Sequence, residues 1–250
     1  MDPAANPYFG RGFGRIGRGV MPALSTGTIA GLLAPYLEGS SSDADSKPDP
    51  DSNPDQLWTQ FSTYLDLLLK WNARTNLTAI REPEEIVRRH FGESLFAGRQ
   101  LAPCKTLLDF GSGAGFPGVP IQLWRPDIKV TLAESQNKKA TFLREVVRTL
   151  GLKTEVWAGR VEAMPLERRF DVVAMRAVDD MPVALREARE RVAACGELMV
   201  LTTTGGVSGA GRNAGRTVRL PQSEMGVVYL ETFHVERPEE QDEELPGDTA

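Results

Sequence analysis

Residues 106–118, TLLDFGSGAGFPG, constrain the chain more than any other stretch. Apolar residues around one acid run straight into glycines at positions 111, 113 and 115. Such a run fits a buried parallel strand that stops at a tight turn, with a helix beyond it. Gly111 and Gly113 permit positive φ and put no Cβ between the backbone and a ligand. Pro117 suits the first turn of the following helix, where its missing N–H leaves no bond unmade.

Residues 113–118 also satisfy GxGxxG, so a dinucleotide competes for this turn. A pyrophosphate lying over the turn would approach the Asp109 carboxylate, and like charges repel. S-adenosylmethionine carries no phosphate, and its amino and sulfonium groups are positive. Asp109 therefore favours it as the cofactor. Glu134 closes the next apolar run, Ile128–Ala133, where an acid can take both ribose hydroxyls of either ligand.

From Thr106 onward the pattern alternates βαβα. Strands are expected at 106–110, 128–133, 154–158, 170–175 and 197–203, and helices at about 117–124, 137–150 and 181–193. A late antiparallel strand follows at 227–233, after a Gly-rich loop at 205–215. This alternation predicts an α/β fold, a mostly parallel sheet with helices on both faces and ligands at the strands' carboxyl ends. Before it, apolar residues at helical spacing predict a helix over 55–71 and a second opened by Pro83. His90 falls on the apolar face of that second helix and reads as packed and hydrogen-bonded, not as a base. Trp71–Thr78 reads as a helix end followed by a turn, and Asp171 as a strand cap.

The organisation expected is a leader, a short docking helix and a linker over 1–54, a helical cap over 55–104, a core over 105–235 and a tail over 236–250. The Gly/Arg/Phe-rich first 20 residues and the acidic tail lack apolar periodicity and are expected to be disordered. Val20–Leu37 is uncharged, but Pro22, Gly27, Gly31 and Pro35 interrupt it, which favours the docking helix over a membrane span. The net charge of −5 hides an asymmetry. Residues 38–55 hold six acids and one Lys, 236–250 seven acids and one Arg, and 1–37 three Arg and one acid. The intervening residues are thus net basic, compatible with a nucleic-acid substrate. Cys104 and Cys195 have neither metal nor disulfide spacing, so no metal is expected and a reducing, cytoplasmic setting is.

Five stretches, in order, resemble one family: WNARTNLTAIREPEEIVRRHFGESL (71–95), LLDFGSGAGFPGVPI (107–121), VTLAESQNKKATFLREV (130–146), GRVEAMP (159–165) and FDVVAMRA (170–177). The chain is similar to the bacterial ribosomal RNA small subunit methyltransferase G family, the 16S guanine-N7 methyltransferases also called glucose-inhibited division protein B. The resemblance implies a class I, Rossmann-like fold with a helical N-terminal cap, S-adenosylmethionine as cofactor, and small-subunit ribosomal RNA or the small ribosomal subunit as partner, with the protein acting as a monomer. It implies cofactor contacts from Gly111, Gly113, Phe116, Glu134, Val161, Glu162 and Arg176, beside Asp109. Lys138, Lys139, Arg144 and Arg160 match basic positions expected to meet RNA, and Arg160 and Arg176 are candidates for positioning the reactants. Glu93 stands where the family usually has Asp. The fifth strand ends in Thr202-Thr203-Thr204-Gly205, where the family commonly has Lys-Gly.

Absences narrow the chemistry. No Asn/Asp-Pro-Pro-aromatic motif follows the fourth strand to hold an exocyclic amine. No Pro-Cys offers a nucleophile for a pyrimidine. A nicotinamide-dependent oxidoreductase would need a hydride-transfer constellation such as Tyr-x-x-x-Lys, which is missing. A catalytically inactive RNA-binding relative is the other alternative, suggested by the missing Lys.

Overall fold

The computed structural model describes residues 22–38, 54–178, 180–206 and 215–233. The disorder expected at 1–20 and 236–250, and most of the linker, lie outside the described residues.

Seven strands form one sheet. They are β1 (Thr106–Phe110), β2 (Lys129–Glu134), β3 (Glu155–Ala158), β4 (Phe170–Arg176), β5 (Val192–Thr203), β6 (Gly215–Arg219) and β7 (Gly226–Thr232), in the order β3-β2-β1-β4-β5-β7-β6. The first five neighbours pair in parallel, while β7 runs antiparallel to β5 and to β6. Side chains alternate between two cores: Leu107, Val172 and Ala174 face one, and Leu108, Val173 and Met175 the other. That alternation is the strand period, and it explains why these runs are apolar throughout instead of every second residue.

Helices α1 (Thr26–Leu37), α2 (Pro54–Thr75), α3 (Pro83–Ile86) and α4 (Glu93–Arg99) build the cap, α3 and α4 being joined by a π-helical stretch, Val87–Gly92. With α5 (Gly118–Trp124) and α6 (Asn137–Leu150) they bury the first core, while α7 (Met181–Glu190) contributes Ala184, Leu185 and Ala188 to the second. The cap meets the glycine loop through aromatic rings. Tyr64 stacks on Phe91 at 5.0 Å and tilts against Phe116 at 5.6 Å.

Several boundaries differ from expectation. Pro117 precedes α5 as its N-cap, its carbonyl accepting from the Ile121 N–H, so the helix proper begins one residue later. The helix expected to reach 193 stops at Glu190, because the Arg191 carbonyl is taken by the Phe170 N–H and Val192 already pairs with Phe170. Strand β6 was not expected. Its exposed, polar alternation (GRTVR) carries little apolar signal at a sheet edge. Asp171 caps as expected, but through the neighbouring strand: its Oδ2 accepts from the N–H groups of Lys105 and Thr106.

Helix α1, where a docking helix is expected, packs on the other cap helices. Ser25 caps it by accepting from the Thr28 N–H, and Arg99 donates to the carbonyls of Tyr36 and Glu38. Its contact requires a glycine at position 92, where a Cβ would stand 2.5 Å from the Tyr36 ring. Gly92→Ala is therefore expected to lower stability by about 1–3 kcal/mol, the usual range for overpacking. In a Tyr36→Ala background the penalty should vanish, and chemical denaturation of the four proteins checks this.

Candidate functional site

The strand order reverses direction between β1 and β4, both of which end at the same edge of the sheet. Ligands in open α/β sheets bind at such a switch point. A cleft of about 790 Å³ opens there, floored by the loops after β1 to β4 and walled by Leu77, Thr78 and His90 of the cap. Its size is in the range of small-molecule sites.

The glycine loop is held from two sides. The Ser112 N–H donates to the Ala133 carbonyl, and the Gly113 N–H to Glu134 Oε2 at 3.0 Å. The other carboxylate oxygen of Glu134 accepts from the Gln136 N–H at 2.7 Å. Glu134 is thus fixed by two backbone donors at the end of β2, and each oxygen keeps lone-pair capacity for a ligand. A Cβ added at Gly113 would meet only the Gly111 carbonyl, at 3.9 Å, so the backbone there is open to close approach.

Gly111, Gly113, Phe116, Glu134, Val161, Glu162 and Arg176 all line the cleft, together with Lys139 and Arg160. Lys138 and Arg144 are exposed and do not line it. Asp109 does not line it either. It lies beneath the loop, fully buried, where its Oδ2 accepts from the Gly118 N–H at 2.9 Å and Oδ1 has no partner. Burial pushes this carboxyl up to about 7, with the Glu134 charge adding to the rise and the Gly118 hydrogen bond opposing it.

Arg176 is held as an ion pair. Its Nη2 donates to Glu93 Oε2 at 2.7 Å and to the Arg89 carbonyl, while Nη1 is buried without a partner. Glu93 also accepts from Arg89 Nε at 3.0 Å. Both readings of Arg176 meet in one side chain, since it anchors the cap and also faces the cleft. His90 is hydrogen-bonded to Thr78 Oγ1 and stacked on Phe116 at 4.6 Å. Burial, followed by the charges of Arg176 and Arg89, lowers its pKa to about 3, so it stays neutral through the physiological range.

Sequence reasoning missed Leu77, Thr78, Ala177, Val178 and Val183 as cleft residues. Thr78 lay within the polar corner that read as a simple turn. Ala177 follows β4 with φ of 46°, a left-handed backbone that a non-glycine residue rarely adopts. No residue-type signal announces it. The divergent Thr202–Gly205 stretch does not line the cleft. Among the described residues no cluster of His, Cys, Asp or Glu suits a metal, and no helix is long and apolar enough to cross a membrane.

The raised Asp109 pKa has a stability signature. Below about pH 4 both states carry the proton. Between about 4 and 7 the unfolded chain releases it while the folded one retains it, so this group's contribution falls as pH rises through that window. Asp109→Asn lacks the slope. The stability of wild type relative to this variant should decline from about pH 4 to 7 and then level off. A difference constant with pH in denaturant titrations would remove the buried carboxyl as its source.

Curated relatives match about half of the chain. Ribosomal RNA small subunit methyltransferase G of Clostridium perfringens strain 13 is 44% identical over 133 residues, covering 50% of this chain and 56% of the relative. The Chromobacterium violaceum protein of that name is 42% identical over 139 residues, covering 55% and 66%. The chain thus spans about half to two thirds of the length of these relatives. Among solved structures, P. horikoshii TYW2 in complex with MeSAdo aligns with a TM-score of 0.49 at 14% identity, over 58% of this chain and 63% of that one. The family model for rRNA small subunit methyltransferase G matches residues 58–204, more than half of the chain, which therefore belongs to this family.

Proposed function

We propose that the chain transfers a methyl group from S-adenosylmethionine to N7 of a guanine in small-subunit ribosomal RNA. The observation that carries the reading is Glu134, a carboxylate fixed by Gly113 and Gln136 at the switch-point cleft of a chain in this family. Its free lone pairs suit the paired hydroxyls of a ribose. Gly113 leaves room for an adenosine against the backbone. The residues present therefore fit this cofactor. Glu134 would hold its ribose, with Gly111, Gly113, Phe116, Val161, Glu162 and Arg176 around the remainder.

When bound, S-adenosylmethionine supplies an electrophilic methyl group, which guanine N7 can accept without a base because it has an in-plane lone pair and no proton. The chain's task is then to orient the reactants and exclude water. Its one cleft histidine, neutral and held to Thr78, is suited to packing and not to proton removal. Lys139 and Arg160 at the cleft, with exposed Lys138 and Arg144 beyond it, give a basic approach for RNA phosphates. N7 lies on the major-groove edge, too narrow in A-form RNA for a domain to enter, so the target is an unpaired or distorted guanine. The RNA partner is ribosomal RNA alone or within the small subunit, and a single copy of the chain carries the whole cleft.

Nucleoside mass spectrometry of ribosomal RNA from cells with and without the protein tests the reaction. Loss of a 7-methylguanosine from small-subunit RNA is expected, and an unchanged profile would refute it. Glu134→Ala should weaken S-adenosylhomocysteine binding by roughly 1.5–3 kcal/mol, the scale of hydrogen bonds to a charged group. Unaltered affinity by calorimetry would remove Glu134 from the ribose. Single-turnover rates should be nearly flat from about pH 6.5 to 9. A limb near histidine's ordinary value of ~6.5 would contradict the base-free step.

A further inference from the structure

The corner at the end of α2, which reads in the sequence as a plain turn, is built more firmly than a turn requires. Asn72 is buried, its Oδ1 accepting the Thr78 N–H and its Nδ2 donating to the Thr78 carbonyl, each at 3.0 Å. Asn76 is left-handed, with φ of 50°. Arg81 donates to Asn76 Oδ1 and to the Asn72 carbonyl, one of those a helix leaves open at its end. Leu77 and Thr78, so fixed, line the cleft. Arg74, in the last turn of α2, is exposed and among the described residues forms no ion pair. Cations at such a position commonly serve the negative end of the helix dipole, but Arg81 already occupies that end.

The packing of α2 on α6 shows where Arg74 stands. The two helices run antiparallel. Gln60, in the first half of α2, donates to the Leu150 carbonyl at the end of α6, and the Trp71 ring meets Phe142 at 5.6 Å. One turn further in the same direction, α2 reaches Arg74 and α6 reaches Lys138 and Lys139. Residues three and four apart share a helix face, so these cations flank one end of the helix–helix seam. That end opens at the cleft, which Lys139 lines from α6 and Leu77 and Thr78 from the cap. Arg160 continues the rim. It is exposed, lines the cleft, and follows Gly159, whose N–H donates to the Glu134 carbonyl just before α6. The rim after β4 differs: Ala177, Val178, Asp180 and Val183 bring an acid and no cation.

A row of unneutralised cations along one rim of a cleft suits a polyanion lying across the mouth. We propose that Arg74 is an RNA contact from the cap, the first in a phosphate track that runs over Lys138 and Lys139 to Arg160 and holds a single-stranded segment with its bases turned to the cleft. This rests on the RNA methyltransferase reading above. The cofactor does not account for the track, because Arg74 and Lys138 lie outside the cleft. Phosphates of the nucleotides that flank an inserted guanine also stay outside while the base goes in. An unpaired strand permits this, and its backbone charge is drawn to such a groove without regard to sequence. Recognition is then shared between cap and core, and the rigid corner holds the cap's cation in register with those of α6.

The test uses full-length wild type, Arg74→Gln, Arg74→Lys, Lys138→Gln and Arg148→Gln. Arg148 is exposed on α6, about 14 Å further from the cleft than Lys139, and controls for net charge. Binding of small-subunit ribosomal RNA from cells lacking the protein, free and within the subunit, is measured against salt concentration, and S-adenosylhomocysteine affinity by calorimetry. Each phosphate contact to a single strand adds about 0.7 to the slope of log affinity against log salt. Arg74→Gln and Lys138→Gln should each lower that slope by about 0.7 and weaken binding about 3–10-fold at about 0.1 M salt. Arg74→Lys keeps the charge and should hold the wild-type slope. Arg148→Gln should alter RNA affinity by less than about twofold, and all variants should bind S-adenosylhomocysteine within about twofold of wild type, since screening confines such charges to their neighbourhood.

The inference is overturned if Arg74→Gln keeps the wild-type slope and affinity, or if Arg148→Gln lowers the slope as much. It is also overturned if Arg74→Lys loses the slope as Gln does, which would leave Arg74 only a part in shaping the corner. Weaker binding to the subunit with free RNA unaffected would assign Arg74 to a ribosomal protein and overturns it too, as does a matching fall in S-adenosylhomocysteine affinity. Should the Arg74 variants fail to fold, a wild-type slope in Lys138→Gln overturns the track instead. Wild type that binds S-adenosylhomocysteine but neither form of the RNA would defeat the RNA methyltransferase reading first, whereas RNA binding indifferent to Arg74 defeats this inference alone.

Discussion

Asp109 sits one residue before the end of β1, and its two oxygen-bearing groups decide where the glycine loop turns. The side chain accepts from the Gly118 N–H at the start of α5, and the backbone carbonyl accepts from Ser112 Oγ. Position 118 tolerates no side chain, because a Cβ there would lie 2.7 Å from the Asp109 carboxylate. Strand end and helix start are thereby clamped together, while Ser112 and Gly113 tie the loop sideways to β2. A carboxyl removed from water is unfavourable when ionised. The fold accepts that penalty in exchange for a loop whose backbone is rigid at the cleft floor.

The cleft's second wall depends on a different buried acid. Glu93 has both oxygens engaged, one by Arg89 within the cap and one by Arg176 at the end of β4. Removing one member of such a buried arrangement leaves the others uncompensated, which is commonly worse than never having built it. The aromatic group of Phe61, Tyr64, Phe91 and Phe116 seals the joint on its apolar side. Beside the cleft, cap and core are therefore joined by both a charged and an aromatic contact, and the residues lining the cleft belong to both.

Much of this was legible in the sequence, for identifiable reasons. Strands 1, 2 and 4 are buried on both faces, so their apolar runs were unmistakable, and the glycines marked the turn where the site begins. Edge strand β6 had no buried face to betray it. The acid at position 109 was read as facing a ligand, yet a strand's period of two places it beneath the loop, which spacing alone could not decide. Lys138 and Lys139 show the same limit. One step along a helix rotates a side chain by about 100°, so only Lys139 reaches the cleft. The phase depends on where the helix starts, and α6 begins at Asn137 without a side-chain cap to announce it.

The π-helical stretch from Val87 to Gly92 widens one turn of the cap helix. The buried residues Ile86 and Phe91, and Val87 and Gly92, stand five apart, one turn of this wider helix. The wider turn takes up one residue more than an α-helical turn, so an extra residue is absorbed here while the helix beyond keeps its angular phase. Glu93 therefore still meets Arg176, and position 92 still faces Tyr36. Loss of one residue from this stretch would relax the turn to an ordinary helix and leave that pairing in place, whereas the same loss one turn further along would rotate every later side chain by about 100°. The cap helix thus carries slack in its length at one turn and none beyond it.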